Sequence, residues 1–493
     1  MKYKILGLAA LAVMLLAAAA AASLEPETQE KTRVHQHLTF RGDEGCGCGG
    51  RELCSHLPLI VIDTGGQRIP GAVREGALDR FGQTLHTAAE DGQPVITVQV
   101  AVIDNVDANN HLTDPPALEA AGDFRIRGNS SRRFPKQPYL LNLKDGEGES
   151  LDYPMMGMAA HREWALHGPI LDKSLIRNYM WYNIAGEIME YAPNARFCEL
   201  VLNGRHQGLY LMVETITNGD NCRLPLRMEA KNAEATGYLL RVDRPTEEDL
   251  ESIRDVYTFA ERVGQIPQDI AIRYPGKGKL TEELKKSIEL DVSAFEKALF
   301  SFDYISGKYG YQNSVDVDSF VDYFLINEFT KNSDAGIYST YLYKEVGGKF
   351  KLCVWDFNNA CDNFQEQELR PESFLMVERA WFFMMFKDED FVERLIARYR
   401  ELRRGVLSEA YLMNYIDETL AWLGPAIDRN SDRWGDEIAN WEGLSPPERN
   451  LRSHREAVEQ LREWICARGD WLDENIHALR QYAHPSRNKT YRH

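Results

Sequence analysis

Basic residues are in short supply in this 493-residue sequence. It contains 57 Lys and Arg against 75 Asp and Glu, so its formal net charge is −18. Nucleic-acid binding depends on clustered Lys and Arg that contact phosphates, and this balance disfavours generic binding of that kind. With 44% hydrophobic and 27% charged residues, the composition is that of an ordinary globular protein. We therefore expect a soluble protein with no nucleic-acid partner.

The sequence also lacks the short motifs that mark two common classes of hydrolase. It has neither a G-x-S-x-G nucleophile motif nor an H-E-x-x-H zinc-protease motif. Beyond the first 23 residues it shows no internal repeat, no low-complexity tract and no run with the apolar length of a membrane helix. A chain of this length is expected to form one large domain with additions, or two to three domains.

The N-terminal stretch MKYKILGLAALAVMLLAAAAAAS has the order of a secretory signal peptide. Lys2 and Lys4 are followed by an apolar run, and small residues lead to a cleavage site near Ala22. We assign residues 1–22 to the signal; an uncleaved anchor is the alternative, because the apolar run reaches the length that can span a bilayer. We expect a secreted or cell-surface protein that meets the membrane only through an uncleaved signal.

Cysteine is scarce, and eight residues are too few for a disulfide-dense scaffold at this length. Cys46, Cys48 and Cys54 lie with His56 in GCGCGGRELCSH, which resembles a metal-ligand set. Its spacing is not a standard zinc pattern, so disulfides or unpaired thiols are the favoured interpretation and a metal site is the alternative. We assign residues 23–95 to a Cys-bearing N-terminal extension with a small amount of β structure.

Alternating apolar residues and turn signals predict an α+β fold rich in antiparallel hairpins. Expected strands cover 57–64, 95–104, 124–127, 139–143 and 237–244, and expected hairpins turn at Asn203–Gly204 and Gly347–Gly348. Expected helices cover 174–189 and 319–332, the second capped by Asp316 or Asp318. We assign residues 96–365 to the core and 366–493 to a helical C-terminal part of the same domain.

Two aspartates flank the second of these hairpins. Asp334 follows the end of the preceding helix, and Asp356 lies just past the second strand in a WDFN motif. Because a short hairpin brings its open ends together, the two carboxylates are expected to face one pocket. Such a pair suits a divalent metal, or a base beside a metal. The alternatives are a turn-stabilising Asp334 and an Asp356 that only ends a buried strand.

The order of helix, loop Asp, hairpin and Asp-Phe-X also echoes protein kinases. In those enzymes a catalytic-loop Asp orients the substrate hydroxyl, and the Asp of D-F-G holds magnesium. No H-R-D motif precedes Asp334, however, and Ser339 stands where a kinase loop carries a metal-binding Asn. The pattern alone supports only a weak likeness.

Six sequence blocks, in order, resemble the spore-coat protein H (CotH) kinase family. They are RIRGNSSRRFPKQPYLLNL, WALHGPILDKSLIRN, RFCELVLNGRHQGLYLMVE, GYLLRVD, DYFLINEFTKNSDAGIYSTYLY and WDFNNACDN. The resemblance implies a secreted protein with a divergent protein-kinase-like fold that uses ATP and Mg²⁺ or Mn²⁺. Its implied substrates are Ser or Thr hydroxyls of exported, cell-surface or spore-coat proteins.

The resemblance implies roles for three residues around the hairpin. Asp334 matches the family's catalytic Asp, which would orient the hydroxyl or accept its proton. Asp356 matches the Asp that would hold the metal against the ATP phosphates. Asn358 stands where many relatives have a second acid, and its carbonyl oxygen would be an uncharged metal ligand.

Chemistry rather than resemblance gives the candidates for nucleotide binding. The turn that contains Asn129 and Ser130 offers backbone amides and a hydroxyl to phosphates, although a plain turn is the alternative. Arg127 precedes this turn inside the first block and is favoured as functional. Lys136 is the candidate for pairing the phosphates, with Glu214 as its carboxylate partner.

Lys173 and Arg177 compete with Lys136 for the phosphate-contact role. For each of these charged residues, a solvated charge or a packing salt bridge is the alternative.

Three functions follow in order of preference. The first is an exported, metal-dependent Ser/Thr protein kinase. The second is a pseudokinase that acts as a spore-surface or extracellular interaction module, which Asn358 and Ser339 favour and the two aspartates oppose. The third is a two-carboxylate hydrolase, such as a glycosidase, which has no motif to support it.

Overall fold

The computed structural model describes residues 46–50, 52–72, 74–78, 84–105, 107–128, 130–219, 223–230, 232–243, 269–276 and 278–483. The expected signal peptide and Asn129 lie outside these ranges. Within them the chain is α+β, as predicted. Its strands are β1 (Cys54–Ser55), β2 (Leu59–Asp63), β3 (Ala77–Leu78), β4 (Thr84–Leu85), β5 (Ile96–Ile103), β6 (Asn110–His111), β7 (Leu118–Ile126), β8 (Tyr139–Lys144), β9 (Glu163–His167), β10 (Ala195–Leu202), β11 (Arg205–Glu214), β12 (Tyr238–Asp243), β13 (Asp269–Tyr274), β14 (Thr340–Lys344) and β15 (Phe350–Cys353).

The α-helices of the described residues lie mostly in the second half of the chain. They are α1 (Arg177–Ile188), α2 (Glu282–Leu299), α3 (Val317–Thr330), α4 (Phe382–Met385), α5 (Glu389–Leu402), α6 (Glu409–Leu423), α7 (Pro425–Asn440), α8 (His454–Asn475) and α9 (Arg480–Ala483). The predicted helical C-terminal part is therefore present. None of these helices has both the length and the apolar character that crossing a bilayer requires.

Seven strands close into a barrel in the spatial order β10, β11, β9, β8, β7, β5, β2. Neighbouring strands are antiparallel except for β2 and β10, which run parallel with Leu59 opposite Glu199. β2 lies inside the stretch 23–95 that was assigned to an extension, yet it supplies the strand that closes the barrel. The sequence pattern did not reveal the barrel, because its closure depends on a pairing between distant strands.

The barrel interior is filled by one face of each strand. In β5, for example, Val98, Val100 and Val102 are buried while Thr97 and Gln99 are exposed, which is the two-residue period of a strand. β11 is instead apolar on both faces. Tyr210 and Met212 lie in the barrel core, whereas the alternate residues Leu209, Leu211 and Val213 pack into the larger helical core. The barrel and the helical part therefore share this strand as a wall.

A second sheet has the order β13, β12, β14, β15 and is antiparallel throughout. The predicted hairpin turn at Gly347–Gly348 joins β14 to β15, and Gly347 has the positive φ of 69° that such a turn favours. α3 leads into this hairpin. Of the two candidate caps for α3, Asp316 is the one used, since its carboxylate accepts a hydrogen bond from the Ser319 N–H at 3.0 Å.

Candidate functional site

A cleft of about 250 Å³ lies where the barrel, α1 and the second sheet meet. Of the predicted site residues, it is lined by Arg127, Ser130, Asp334, Asp356 and Asn358. Its charged lining consists of five arginines and four carboxylates: Arg125, Arg127, Arg132, Arg241, Arg273, Glu163, Asp243, Asp334 and Asp356. No lysine lines the cleft in the described part of the chain. A site with both signs of charge can hold an anion and a cation together.

Asp334 is placed by the end of α3. The helix stops at Lys331, whose left-handed φ of 45° turns the chain out of the helical path. The Arg379 guanidinium then donates hydrogen bonds to the carbonyls of Ser333 and Ala335, on either side of the aspartate. The half-buried Asp334 carboxylate accepts a hydrogen bond from the Asn359 side-chain amide at 3.0 Å. The loop therefore presents this carboxylate in a fixed direction.

Asp356 has a strained backbone, with a φ of 62° that a residue other than glycine rarely adopts. Three hydrogen bonds hold it there. Its N–H donates to the Tyr182 hydroxyl at 3.0 Å, and its carbonyl accepts from the Asn332 side-chain amide at 3.0 Å. Its carboxylate accepts from the Asn358 N–H at 3.1 Å. The surrounding structure thus determines a conformation that the residue alone would avoid.

The electrostatic setting of Asp356 combines burial with nearby charge. Burial raises the pKa of its carboxyl group, while the Asn358 N–H and the Arg127 guanidinium oppose that rise. Asp243 adds a second negative charge nearby, which also raises the pKa. A bound cation would favour the ionised form of this carboxyl group.

Amide side chains tie the two aspartate loops together. Asn332, two residues before Asp334, bonds to the Asp356 carbonyl, and Asn359, three residues after Asp356, bonds to the Asp334 carboxylate. In addition, the Phe357 N–H donates to the Asn178 side chain of α1 at 2.7 Å. The two carboxylates line one cleft, as the hairpin argument predicts.

Arg127 places a half-buried guanidinium in the cleft, near Asp356. This group lies 5.3 Å from the centroid of the Trp355 ring, and within the described residues the guanidinium has no hydrogen-bond partner. Burial lowers its pKa, and Asp356 is one of the groups that oppose this. A stacked guanidinium with unused donors is suited to binding phosphate or carboxylate oxygens.

The oxygen atoms at Asp356 and Asn358 are suited to bind a hard divalent cation. Carboxylate and amide oxygens of Asp356 and Asn358 are the ligand types that Mg²⁺ and Mn²⁺ prefer. Beside them, the Nε2 atom of His167 is buried without a hydrogen-bond partner among the described residues. Burial and the neighbouring Arg127 lower the pKa of His167 to about 4, so its ring is neutral near pH 7. This corner of the cleft therefore has one polar atom, His167 Nε2, whose bonding capacity the described residues do not use.

Lys136 and Glu214 do not form the predicted pair. The buried Lys136 ammonium donates to the Leu209 carbonyl at 2.5 Å and to the Asn430 side-chain oxygen of α7 at 2.7 Å. Glu214 accepts hydrogen bonds from the backbone and side-chain amides of Asn194, both at 3.0 Å. Strand alternation keeps Glu214 out of the cleft: the residues on either side of it line the cleft, while Glu214 itself points to the other face of β11.

Lys173 and Arg177 also lie outside the cleft, in packing positions. The Lys173 ammonium donates to the carbonyls of Trp441 and Leu451 at 3.0 and 2.6 Å. Arg177 forms a buried ion pair with Asp172, in which the closest N–O distance is 2.5 Å, and donates to the Ala360 carbonyl at 3.1 Å. Arg177 thereby supports the chain just after Asp356. These contacts match the packing alternative that the sequence left open.

Several cleft residues were missed by sequence reasoning. Arg125 has the same strand parity as Arg127, so the alternation in RIRG was a signal for it. Arg241 and Asp243 share one face of β12 in the same way, with an N–O distance of 3.8 Å between them. Tyr182 carried no such signal, because a tyrosine inside an apolar helix is indistinguishable from an ordinary core residue.

Fold and site together define an α+β protein with a barrel and an arginine-rich cleft that receives one aspartate from each end of a hairpin. The sequence model of the family described as CotH kinase protein matches residues 124–472. Since the match covers most of the chain and every residue that lines the cleft, the chain belongs to the CotH kinase protein family. β2 and β5 of the barrel precede the matched region.

A curated relative gives a more distant comparison. The chain is 24% identical over 245 residues to "Inner spore coat protein H" of Bacillus subtilis (strain 168). The aligned region covers 48% of this chain and 58% of that relative, so the chain spans somewhat more than half of the relative's length.

Proposed function

We propose that this protein is a metal-dependent protein kinase that transfers the γ-phosphoryl group of ATP to Ser or Thr hydroxyls. Its membership of the CotH kinase protein family supports this proposal. The observation that carries it is the cleft in which Asp334 and Asp356, from opposite ends of the β14–β15 hairpin, lie with the guanidinium of Arg127.

In the proposed reaction, Asp334 orients the acceptor hydroxyl. The oxygen of that hydroxyl forms a bond to the γ-phosphorus as the bond to the ADP oxygen breaks, and its proton passes to the Asp334 carboxylate. The hydrogen bond from Asn359 to Asp334 holds the carboxylate in position for this step. Because the Asp334 carboxylate is already held in place, substrate binding requires little further loss of conformational entropy.

Asp356 and Asn358 would hold the divalent metal, which would supply positive charge against the phosphate oxygens. Arg127 would contact the same phosphates, the role first considered for Lys136. A planar guanidinium can bind two phosphate oxygens at once, which an ammonium cannot do with the same geometry. Arg125 and Arg241 would extend the positive surface along the cleft.

The proposed substrates are exported proteins of the spore coat or cell surface. This assignment rests on the relative whose name places it in the inner spore coat. The net charge of −18 fits a protein partner better than a nucleic acid.

The test is phosphate transfer from radiolabelled ATP with Mg²⁺ or Mn²⁺ to the protein itself or to a generic acceptor. Asp334→Asn and Asp356→Asn keep the side-chain shape and remove the charge, and each is expected to reduce transfer by at least about 10²-fold. The matched control is Asp318→Asn, which changes a largely exposed aspartate at the start of α3. It is expected to retain transfer.

Thermal unfolding of each variant separates loss of chemistry from loss of fold. An ATP- and metal-dependent thermal shift without any transfer would instead indicate a nucleotide-binding pseudokinase. Full transfer in either cleft variant would contradict the assigned roles.

A further inference from the structure

Four possible metal ligands converge outside the cleft. The sulfur atoms of Cys46, Cys48 and Cys54 and a ring nitrogen of His111 all lie within 4.8 Å of one another. Within the part of the chain that the structure describes, none of the three cysteines forms a disulfide. None of the four residues lines the cleft.

The fold builds this cluster from two short strands. β1 pairs antiparallel with β6, which places Cys54 directly opposite His111. Cys46 and Cys48 precede a turn in which Gly49 and Gly50 have positive φ values of 64° and 69°. Such values favour glycine, so residues 46–50 can bend back over β1. This bend places the thiols of Cys46 and Cys48 beside Cys54 and His111.

The His111 ring is oriented towards the sulfur atoms. Its Nε2 lies 3.1 Å from the Cys46 sulfur, while its Nδ1 lies 3.3 Å from a carboxylate oxygen of Asp114. The same carboxylate oxygen accepts hydrogen bonds from the His111 N–H and from the Asn105 side-chain amide. A carboxylate on one ring nitrogen, with the other aimed at the ligand position, is the usual support for a metal-bound histidine.

The fourth ligand position differs from the sequence expectation. His56 was grouped with the three cysteines because it is close in sequence, but its Nε2 lies 2.7 Å from the Trp422 carbonyl. His111 takes its place from 57 positions beyond Cys54, which β1–β6 pairing makes possible. The cluster is therefore completed by a tertiary contact that no local motif contains.

We propose that Cys46, Cys48, Cys54 and His111 form a structural zinc site. Three thiolates and one imidazole are a ligand set that Zn²⁺ takes in tetrahedral geometry. With metal–ligand distances of about 2.0 to 2.3 Å, the ligand atoms of such a tetrahedron lie about 3.5 to 3.8 Å apart, so small shifts would complete it. All four positions come from the protein, which is typical of structural rather than catalytic zinc.

The site would fasten the N-terminal segment to the connection between β5 and β7. β1 is separated from β2 by only three residues, so the metal would also hold the entry to the strand that closes the barrel. Zinc binding would therefore stabilise the barrel without taking part in cleft chemistry.

The first measurement is the metal content of the full chain, purified without chelator from zinc-supplemented cells. We expect about one zinc per chain. His111→Ala and Cys48→Ser should each lower that content at least tenfold, whereas His111→Cys, which keeps a zinc ligand, should retain it. Cys466→Ser is the matched control, since that cysteine lies outside the cluster in α8.

Two further measurements use the unmodified chain, so that their results do not depend on whether the cluster variants fold. Replacement of the bound metal by Co²⁺ should give the visible absorption of tetrahedral cobalt and the near-ultraviolet charge-transfer band of cobalt thiolate. A strong chelator should lower the melting temperature of the unmodified chain and of Cys466→Ser alike.

Three results would overturn the proposal. One is a disulfide between two of the three cysteines, found by mass spectrometry, in a zinc-free protein. Another is a chain with free thiols that binds neither Zn²⁺ nor Co²⁺. The third is a His111→Ala variant with undiminished zinc content.

Discussion

At the scale of single residues, Arg127 occupies the cleft in which Lys136 was expected. Arg127 lies in the cleft beside Asp356, whereas the Lys136 ammonium is buried against a carbonyl and an asparagine of α7. Burial lowers the pKa of Lys136 well below its usual range. A buried lysine of this kind is a packing element, and the cleft depends on guanidinium groups for positive charge.

This division predicts opposite effects of two substitutions. Arg127→Gln removes the proposed phosphate contact, worth about 1.5 to 3 kcal/mol, and should raise the Kd for metal–ATP about 10- to 100-fold. Lys136→Met removes two buried hydrogen bonds, although Asn430 keeps one from the Leu209 N–H, and should lower the melting temperature. Its Kd should stay close to that of the unmodified protein, provided that calorimetry is done below its melting temperature. The reverse pattern would return the phosphate role to Lys136.

Residue-level prediction from sequence succeeded where a local pattern carried the information. Asp334 and Asp356 stand at the ends of a recognisable hairpin, so their meeting in one cleft could be anticipated. The positions of Lys136 and Glu214 could not be predicted in this way, because they depend on which face of its element each side chain occupies. Strand alternation constrains that choice, but the identity of the element packed on each face is a tertiary property.

At the scale of secondary-structure elements, one buried ion pair joins α8 to α3. The Arg468 guanidinium lies 2.5 Å from the Glu328 carboxylate, and both side chains are almost completely buried. Glu328 also accepts hydrogen bonds from the N–H groups of Leu375 and Met376. The pair therefore fixes the end of α3, three residues before the loop that presents Asp334.

Breaking this pair should be costly, because one charge would remain buried without its partner. Arg468→Met is expected to lower the free energy of unfolding by about 3 to 5 kcal/mol. The matched control is Arg462→Met in the same helix, whose partner Asp417 is largely exposed. That loss should be below about 1 kcal/mol. Urea titration of both variants measures the difference, and equal losses would contradict this account.

Individual elements were largely predictable, but their assembly was not. Asn-Gly and Gly-Gly turns with flanking β-branched residues marked the hairpins, and apolar periodicity with a capping aspartate marked α3. By contrast, the strand predicted over 124–127 is only the end of β7, which starts at Leu118. Its first half, LEAAG, is weak in β-forming residues and becomes a strand because β5 pairs along its length.

At the scale of the whole molecule, Glu199 couples the barrel to the C-terminal helices. Its carboxylate lies on β10, fully buried, and is paired with Arg429 of α7 at 2.7 Å and with His206 at 2.9 Å. Burial alone would raise the pKa of Glu199. Hydrogen bonds from His206 and Arg429 outweigh burial and lower the pKa to about 2.

A lowered pKa makes the coupling dependent on pH. The ionised Glu199 should contribute its full stabilisation, about 3 kcal/mol, above pH 4.5, and lose it as the pH falls towards 2. The difference in unfolding free energy between the unmodified chain and Glu199→Gln should shrink over that range. Glu442→Gln is the control, since its pair with Arg452 is more than half exposed and should contribute little at any pH. A difference that does not change with pH would refute the coupling.

The parallel pairing of β2 with β10 has a consequence for how the chain folds. Leu59 meets a partner about 140 positions later, so the barrel cannot close until β10 has been synthesised. At about 5 to 20 residues per second, one edge of β2 then stays unpaired for on the order of ten seconds after its other edge can pair with β5. An open apolar strand edge is a template for pairing with other chains. We therefore expect aggregation to begin from nascent chains during this interval, while β2 has an open edge, rather than from the finished protein.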